Sequence, residues 1–275
     1  MNLDGQSAAV HADSVEAAAY SDLFDAAPAS LKARLGIDVQ QHVGATLLIA
    51  PGLPTPMFNR AIGLGLAAAA SDADVDALVQ VYAKAGSATW WLHWNPFAEP
   101  ATMPELLQHR GFTLPSRRRW AKMLRGTQPP PTIHTDLNVV PARDDDVAPV
   151  TSAIAQAFGM PPFMADWLAA LHGRPRWRVY AVTDEQRVVG GGCLFVDGDN
   201  AWLGMGSVVE SHRRRGAQGA LMALRIADAI AAGCEHIVTE TGEAIADEPN
   251  PSLANMKRCG FATVASRFNF EAPKR

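Results

Sequence analysis

Residues 177–183 and 188–196 form two nearly continuous apolar runs, WRVYAVT and VVGGGCLFV, separated by the polar DEQ. Runs of that length, bounded by turn residues, predict two neighbouring strands. A third strand is predicted over 202–209, AWLGMGSVV without its first residue, and a fourth over 236–241. Between these two, residues 216–232 read as a largely buried helix, with Leu221, Leu224, Ile226 and Ile230 and few charges beyond Arg225 and Asp228. Helices are also predicted over 145–158, which opens on acidic residues that suit a helix dipole, over 164–171, and over 251–259. Residues 137–141 and the segment after Phe261 read as extended. The order describes an α+β (α/β) domain built on a mixed sheet.

The same pattern recurs weakly upstream. QHRGF (108–112) follows the helix-like MPELL, as KRCGF (257–261) follows SLANM. In each pair a short helix ends at glycine and a strand opens on phenylalanine. IGLGL (62–66) likewise echoes LGMGS (203–207). Similar order and spacing point to a duplicated fold. The break between copies is placed at GTQPPPTI (126–133), where consecutive prolines lack amide donors and stop any helix or inner strand. The expected domains are 1–128 and 134–275.

Composition narrows the classes. The chain has 275 residues, 48% of them apolar, and a net charge of −4 spread over both halves. That balance argues against a general nucleic-acid or membrane-surface role. No uncharged apolar run approaches the roughly 20 residues of a membrane span. Cys193, Cys234 and Cys259 show neither metal-ligand spacing nor a disulfide framework. With an N-terminus that lacks a basic-then-apolar signal pattern, the expected location is the cytoplasm.

Against this acidic background, SHRRRGAQGALM (211–222) sets three arginines beside two glycines at a helix start. The first amides of a helix have no carbonyl partners within it, and the helix dipole adds partial positive charge. Gly216 and Gly219 bare the backbone, and Arg213, Arg214 and Arg215 surround it with charge, so the segment reads as an anion cradle suited to a pyrophosphate. A solvated basic turn before a core helix is the alternative. Neither a P-loop ending nor a GxGxxG fingerprint is present.

The segment resembles motif A of the GNAT (N-acetyltransferase) superfamily, Arg/Gln-x-x-Gly-x-Gly/Ala. Arg213 and Gly216 match the first two landmarks, while Gln218 stands where glycine or alanine is usual, with Gly219 just beyond. The likeness runs from about residue 137 to the end, through GCEHIVTETG and NPSLANMKRCGF. It implies acetyl-CoA as cofactor, its pyrophosphate on the amides of Arg213, Arg214, Arg215, Gly216, Ala217, Gln218, Gly219 and Ala220. Its pantetheine would pair with the backbone at Val208 and Val209, where neighbouring strands splay. Asn250 lies one position out of register with a pantetheine-contacting asparagine of the family. Upstream, Ser71, Asp72, Asp74 and Asp76 stand where the arginines would be, so the first half is expected to be a GNAT-like domain without a cofactor site, as in tandem GNAT arrangements.

The family's usual catalytic groups are missing. The strand before motif A holds no glutamate, and the position of the usual tyrosine acid falls on Met256. Glu240 in VTETG is the candidate general base, against an ordinary strand-end charge. Ser252 is a candidate proton donor or a helix cap, and His212 a candidate base or a loop residue. Backbone amides near Val208 are candidates to polarise an acyl carbonyl. The aromatic run TWWLHW (89–94) reads as a strand packed in a core or as a pocket wall. PSRRRW (115–120) reads as a strand edge or a basic patch, and FGMPPFMADWL (158–168) as core or as an acceptor site. The resemblance implies an N-acetyltransferase acting on a small-molecule primary amine, with a non-catalytic acyl-CoA sensor as the alternative. No metal, nucleic acid or membrane partner is expected, and a homodimer is an open alternative.

Overall fold

A computed structural model describes residues 4–115 and 119–274. The chain separates into two compact units: residues 1–122, 241–249 and 263–275 make the first, and 123–240 with 250–262 the second.

The first unit opens with α1 (Gly5–Asp25) and α2 (Ala29–Leu35). Strands β1 (Asp38–His42), β2 (Ala45–Ile49) and β3 (Arg60–Ile62) follow, then α3 (Asp72–Ala85), β4 (Trp91–Trp94) and α4 (Met103–His109). Strand β5 (Trp120–Arg125) carries the chain into the second unit. There β6 (Asn138–Pro141), α5 (Asp144–Ala157) and α6 (Met164–Ala169) precede β7 (Trp177–Asp184), β8 (Arg187–Asp197) and β9 (Asn200–Val208). Helix α7 (Ala217–Ala231), β10 (His236–Gly242), α8 (Pro251–Arg258) and β11 (Ala262–Glu271) complete the chain.

Both units use one motif. In the first, β2 and β3 are antiparallel, α3 crosses over, and β4 returns parallel to β3. In the second, β8 and β9 are antiparallel, α7 crosses over, and β10 returns parallel to β9. The expected duplication is therefore visible in topology. The strands expected from 137 onward also appear, within one or two residues of their predicted ends.

A single passage at residues 126–133 was expected, yet the C-terminal strand belongs to the first unit. β11 pairs antiparallel with β4, Phe268 opposite Trp94 and Phe270 opposite Leu92. Phe270 and Phe268 join the core of Leu47, Leu78, Tyr82 and Trp90. The run TWWLHW is split by strand alternation. Trp90, Leu92 and Trp94 enter that core, with Trp90 stacked on Tyr82 at 4.3 Å. Trp91 and His93 point to the opposite face.

That opposite face buries ions rather than hydrocarbon. Glu16 of α1 lies 2.6 Å from the Lys122 ammonium and 3.2 Å from Arg60, and it also meets Arg267 of β11. Asp13 takes Arg267 at 3.0 Å and Asn95 at 2.9 Å. Burial would raise the Glu16 pKa, but Arg267, Lys122 and Arg60 outweigh it and hold it well below the usual range. Desolvation, with Arg267 and Arg60 adding to it, pushes His93 well down, so its imidazole stays neutral. Removing one partner would leave an uncompensated buried charge. Arg267→Met is expected to cost about 3–5 kcal/mol, read as a lower urea midpoint. A loss below about 1 kcal/mol would mean that the pair is only worth a surface ion pair.

Candidate functional site

Strand β9 is where the second unit's sheet opens. β10 pairs with it only from His236–Val238 against Asn200–Trp202. Beyond that point Thr239 Oγ1 donates to the Leu203 carbonyl at 2.8 Å, and the Trp202 indole N–H donates to Glu240 at 2.9 Å. On its other edge β9 carries a bulge: Cys193 lies opposite Gly204 and Gly191 opposite Ser207, so β9 has one residue more than β8. Within the bulge Met205 has φ of +56°.

After Val208 the chain makes one 3-10 turn, Glu210–His212, and then kinks twice through left-handed residues. Arg214 has φ +65° and Gly216 φ +79° before α7 begins at Ala217. Gly216 serves as N-cap without a side chain, so the amides of Ala217, Gln218 and Gly219 have no carbonyl from their own helix. A cavity of about 530 Å³ opens over them, lined by Val208, Arg213, Arg214, Gly216, Ala217, Gln218 and Gly219. Seven positions expected to hold a pyrophosphate and pantetheine thus share one concavity.

The other expected positions lie elsewhere. Arg215 turns away: its guanidinium bonds Asp136 at 2.6 Å and Asp184 at 2.8 Å. Those hydrogen bonds hold both carboxyls below their usual range. Arg215 is therefore a brace for the loop. The Val209 amide is taken by the Val189 carbonyl, the Arg213 amide by the Glu210 carbonyl and the Ala220 amide by the Gly216 carbonyl, so none of the three is an open donor. Asn250 is the N-cap of α8, its side chain accepting from Ser252 and Leu253 amides. The cap foreseen at Ser252 is thus two residues earlier. His212, by contrast, does line the cavity, and lies 2.8 Å from Ser211 Oγ and 3.3 Å from Asp184. Met256, at the position of a tyrosine acid, is buried.

The glycines have a second reason to be there. A Cβ on Gly216 would come within 2.2 Å of the His134 carbonyl oxygen, and one on Gly219 within 3.1 Å of Ile133. Residues just after the prolines therefore press on the loop, and Ile133 lines the cavity. Sequence reasoning also missed Arg258, Asn255 and Cys259 of the α8 end, which line the cavity too. Arg258 is the one lining cation it offered no signal for, because the pocket forms only when α8 folds beside α7.

In the first unit the equivalent helix start is closed. Ser71 and Asp74 cap α3 reciprocally, the Ser71 amide donating to Asp74 at 2.7 Å and the Asp74 amide to Ser71 Oγ at 3.3 Å. Met164 and Trp167 of FGMPPFMADWL are core residues. Of PSRRRW, residues 116–118 lie outside the described part, and the Arg119 guanidinium sits 3.9 Å over the Phe268 ring.

A family model described as an acetyltransferase (GNAT) domain matches residues 147–244. These residues form a GNAT domain. The fold of the longer chain is shared with solved structures at low identity. A GCN5-related N-acetyltransferase from Kribbella flavida is 15% identical with a TM-score of 0.63, covering 89% of this chain and 93% of its own. One from Sphaerobacter thermophilus is 18% identical at 0.62, covering 90% and 85%. A tandem GNAT protein from the clavulanic acid biosynthesis pathway is 16% identical at 0.58, covering 83% and 78%. No curated protein matches the sequence. Among the described residues no helix is long and apolar enough to cross a membrane, and no group of His, Cys, Asp or Glu forms a metal cluster.

The loop of the GNAT domain depends on glycine at 216. Gly216→Ala would place a side chain in a left-handed conformation, at about 1–2 kcal/mol, and against the His134 carbonyl. A lower thermal midpoint is expected, and a wild-type midpoint would show that this loop is not held as described.

Proposed function

We propose that the chain is an acetyl-CoA-dependent N-acetyltransferase that acylates the primary amine of a small molecule by direct transfer in a ternary complex. The observation that carries this reading is the open start of α7, with unshared amides at Ala217, Gln218 and Gly219 under a cavity that Arg213 and Arg214 also line. Donors of that kind suit a diphosphate, whose charged oxygens accept from them. Arg258 adds a third cation to the same cavity. The cofactor supplies an activated thioester. In the transfer the amine nitrogen forms a bond to the acyl carbon as the carbon–sulfur bond breaks, and the proton lost by nitrogen ends on the thiolate.

The protein's own share is to hold, polarise and move that proton. Glu240 stands on β10 just past the point where β9 and β10 part, its carboxylate fixed by the Trp202 indole. It is the carboxylate we assign as general base, with the β9 backbone as the carbonyl's polariser. The alternative, an acyl-CoA sensor without turnover, draws on the missing carboxylate of β9 and on the buried Met256.

Isothermal titration tests the cradle. Acetyl-CoA should bind, and Arg213→Ala and Arg214→Ala should each weaken it about tenfold, as expected for one charge-assisted hydrogen bond. Binding unaffected by both would remove the cradle. With an amine panel reporting free CoA, Glu240→Gln should lower kcat by about 100-fold and leave cofactor binding intact. Unchanged turnover would remove Glu240, and tight binding with no turnover on any amine would favour the sensor.

A further inference from the structure

Arg225 lies in the middle of α7 and is 2% exposed. Its hydrogen bonds go to carbonyls: Nη1 donates to Cys193 at 3.0 Å and to Gly204 at 2.9 Å, and Nε to Leu221 at 3.2 Å. None of these partners is a carboxylate. Burying a cation this way is costly relative to a well-packed apolar side chain. The sheet also gives up side chains to admit it. A Cβ on Gly192 would lie 3.0 Å from Nη1 and one on Gly206 2.8 Å from Nη2. Met205, between Gly204 and Gly206, holds a left-handed backbone at φ +56°, a further cost for a residue with a side chain. All these costs converge on the β9 bulge, and packing α7 onto the sheet requires none of them.

The direction of one peptide explains what they secure. In a trans peptide the N–H points opposite to the C=O. The Gly204 carbonyl shares its donor with Cys193 of β8, so it faces β8 and Arg225. The Met205 N–H therefore faces the other edge of β9, where the pairing with β10 has already ended. The preceding carbonyl, Leu203, confirms the alternation, because it accepts from Thr239 of β10.

We infer that Arg225 is a positioning residue for acyl transfer, clamping the Gly204–Met205 peptide so that the Met205 N–H meets the acyl carbonyl in the gap between β9 and β10. A cation on the peptide oxygen also strengthens the N–H at its other end as a donor. This inference rests on the proposed acetyltransferase reading and goes beyond it by naming the donor and what holds it.

Isotope-edited infrared spectroscopy of carbonyl-labelled acetyl-CoA on the full chain reads the clamp without knowledge of the acceptor. On the wild type the thioester carbonyl band should fall below its free position. Arg225→Met should return it toward the free position, while CoA affinity by titration stays within about twofold. Arg225→Lys, which keeps the charge but not the planar fork, should give an intermediate band. Gly206→Ala, whose added Cβ pushes on Nη2 while Arg225 itself is kept, should act like Arg225→Met and remains informative if that variant does not fold. Turnover should fall about 100-fold in step with the band, as for loss of one oxyanion donor. An unshifted wild-type band with acetyl-CoA bound would overturn the clamp and leave the acetyltransferase reading standing, as would a wild-type band in Arg225→Lys and Gly206→Ala. Failure of the wild type to bind acetyl-CoA would overturn both.

Discussion

A strand that loses its neighbour leaves main-chain donors and acceptors that something else must satisfy. In the second unit β9 pairs with β10 over three residues and then continues without it to Val208. The next element starts with the same shortage, because the first turn of α7 has amides with no carbonyls behind them. Two adjacent stretches of backbone without a strand or helix partner, one along a strand edge and one at a helix end, make an extended polar line. The bulge, the left-handed residues and the arginines follow from keeping that line open while the rest of the sheet stays paired.

The two units bury charge for different ends. In the first, three cations surround two carboxylates between α1 and the sheet, and Arg267 brings the C-terminal strand into the group. Breaking such a group is far more costly than forming it is favourable, so it specifies which strand docks more than it raises stability. In the second, Arg225 has carbonyls in place of carboxylates. A carboxylate partner would neutralise it, whereas carbonyls leave its field directed along the peptide they belong to. The first arrangement ends in the interior, and the second points at the parted strands.

Much of the second unit was legible because its signals are local. Apolar runs and polar turns marked the strands, and SHRRRGAQGALM marked a strand-to-helix turn with unshared amides. What escaped was non-local. Arg215 looks like its two neighbours in sequence, but its partners Asp136 and Asp184 are 79 and 31 residues away. The C-terminal strand was foreseen as a strand, yet nothing in its alternation says that Phe270 fits beside Leu92. Helix α1 was missed because its buried face mixes alanines, Ala8, Ala12 and Ala19 among them, with the charged Asp13 and Glu16, whose weak contrast with the polar face hides the helical period.

The two crossover helices make the division of labour a matter of a few side chains. α3 and α7 each follow a strand that is antiparallel to one neighbour and parallel to the other. Ser71 and Asp74 close the start of α3 with their own oxygens, and the acids of that first turn would repel an incoming anion. A cap of this kind is typically worth about 1 kcal/mol, so a helix that forgoes it gives up stability. α7 forgoes it, and opens on a left-handed glycine under a linker carbonyl instead. That exchange of helix stability for open donors is the physical difference between the two copies of the motif: one presents unshared amides at its helix start, and the other closes them with its own side chains.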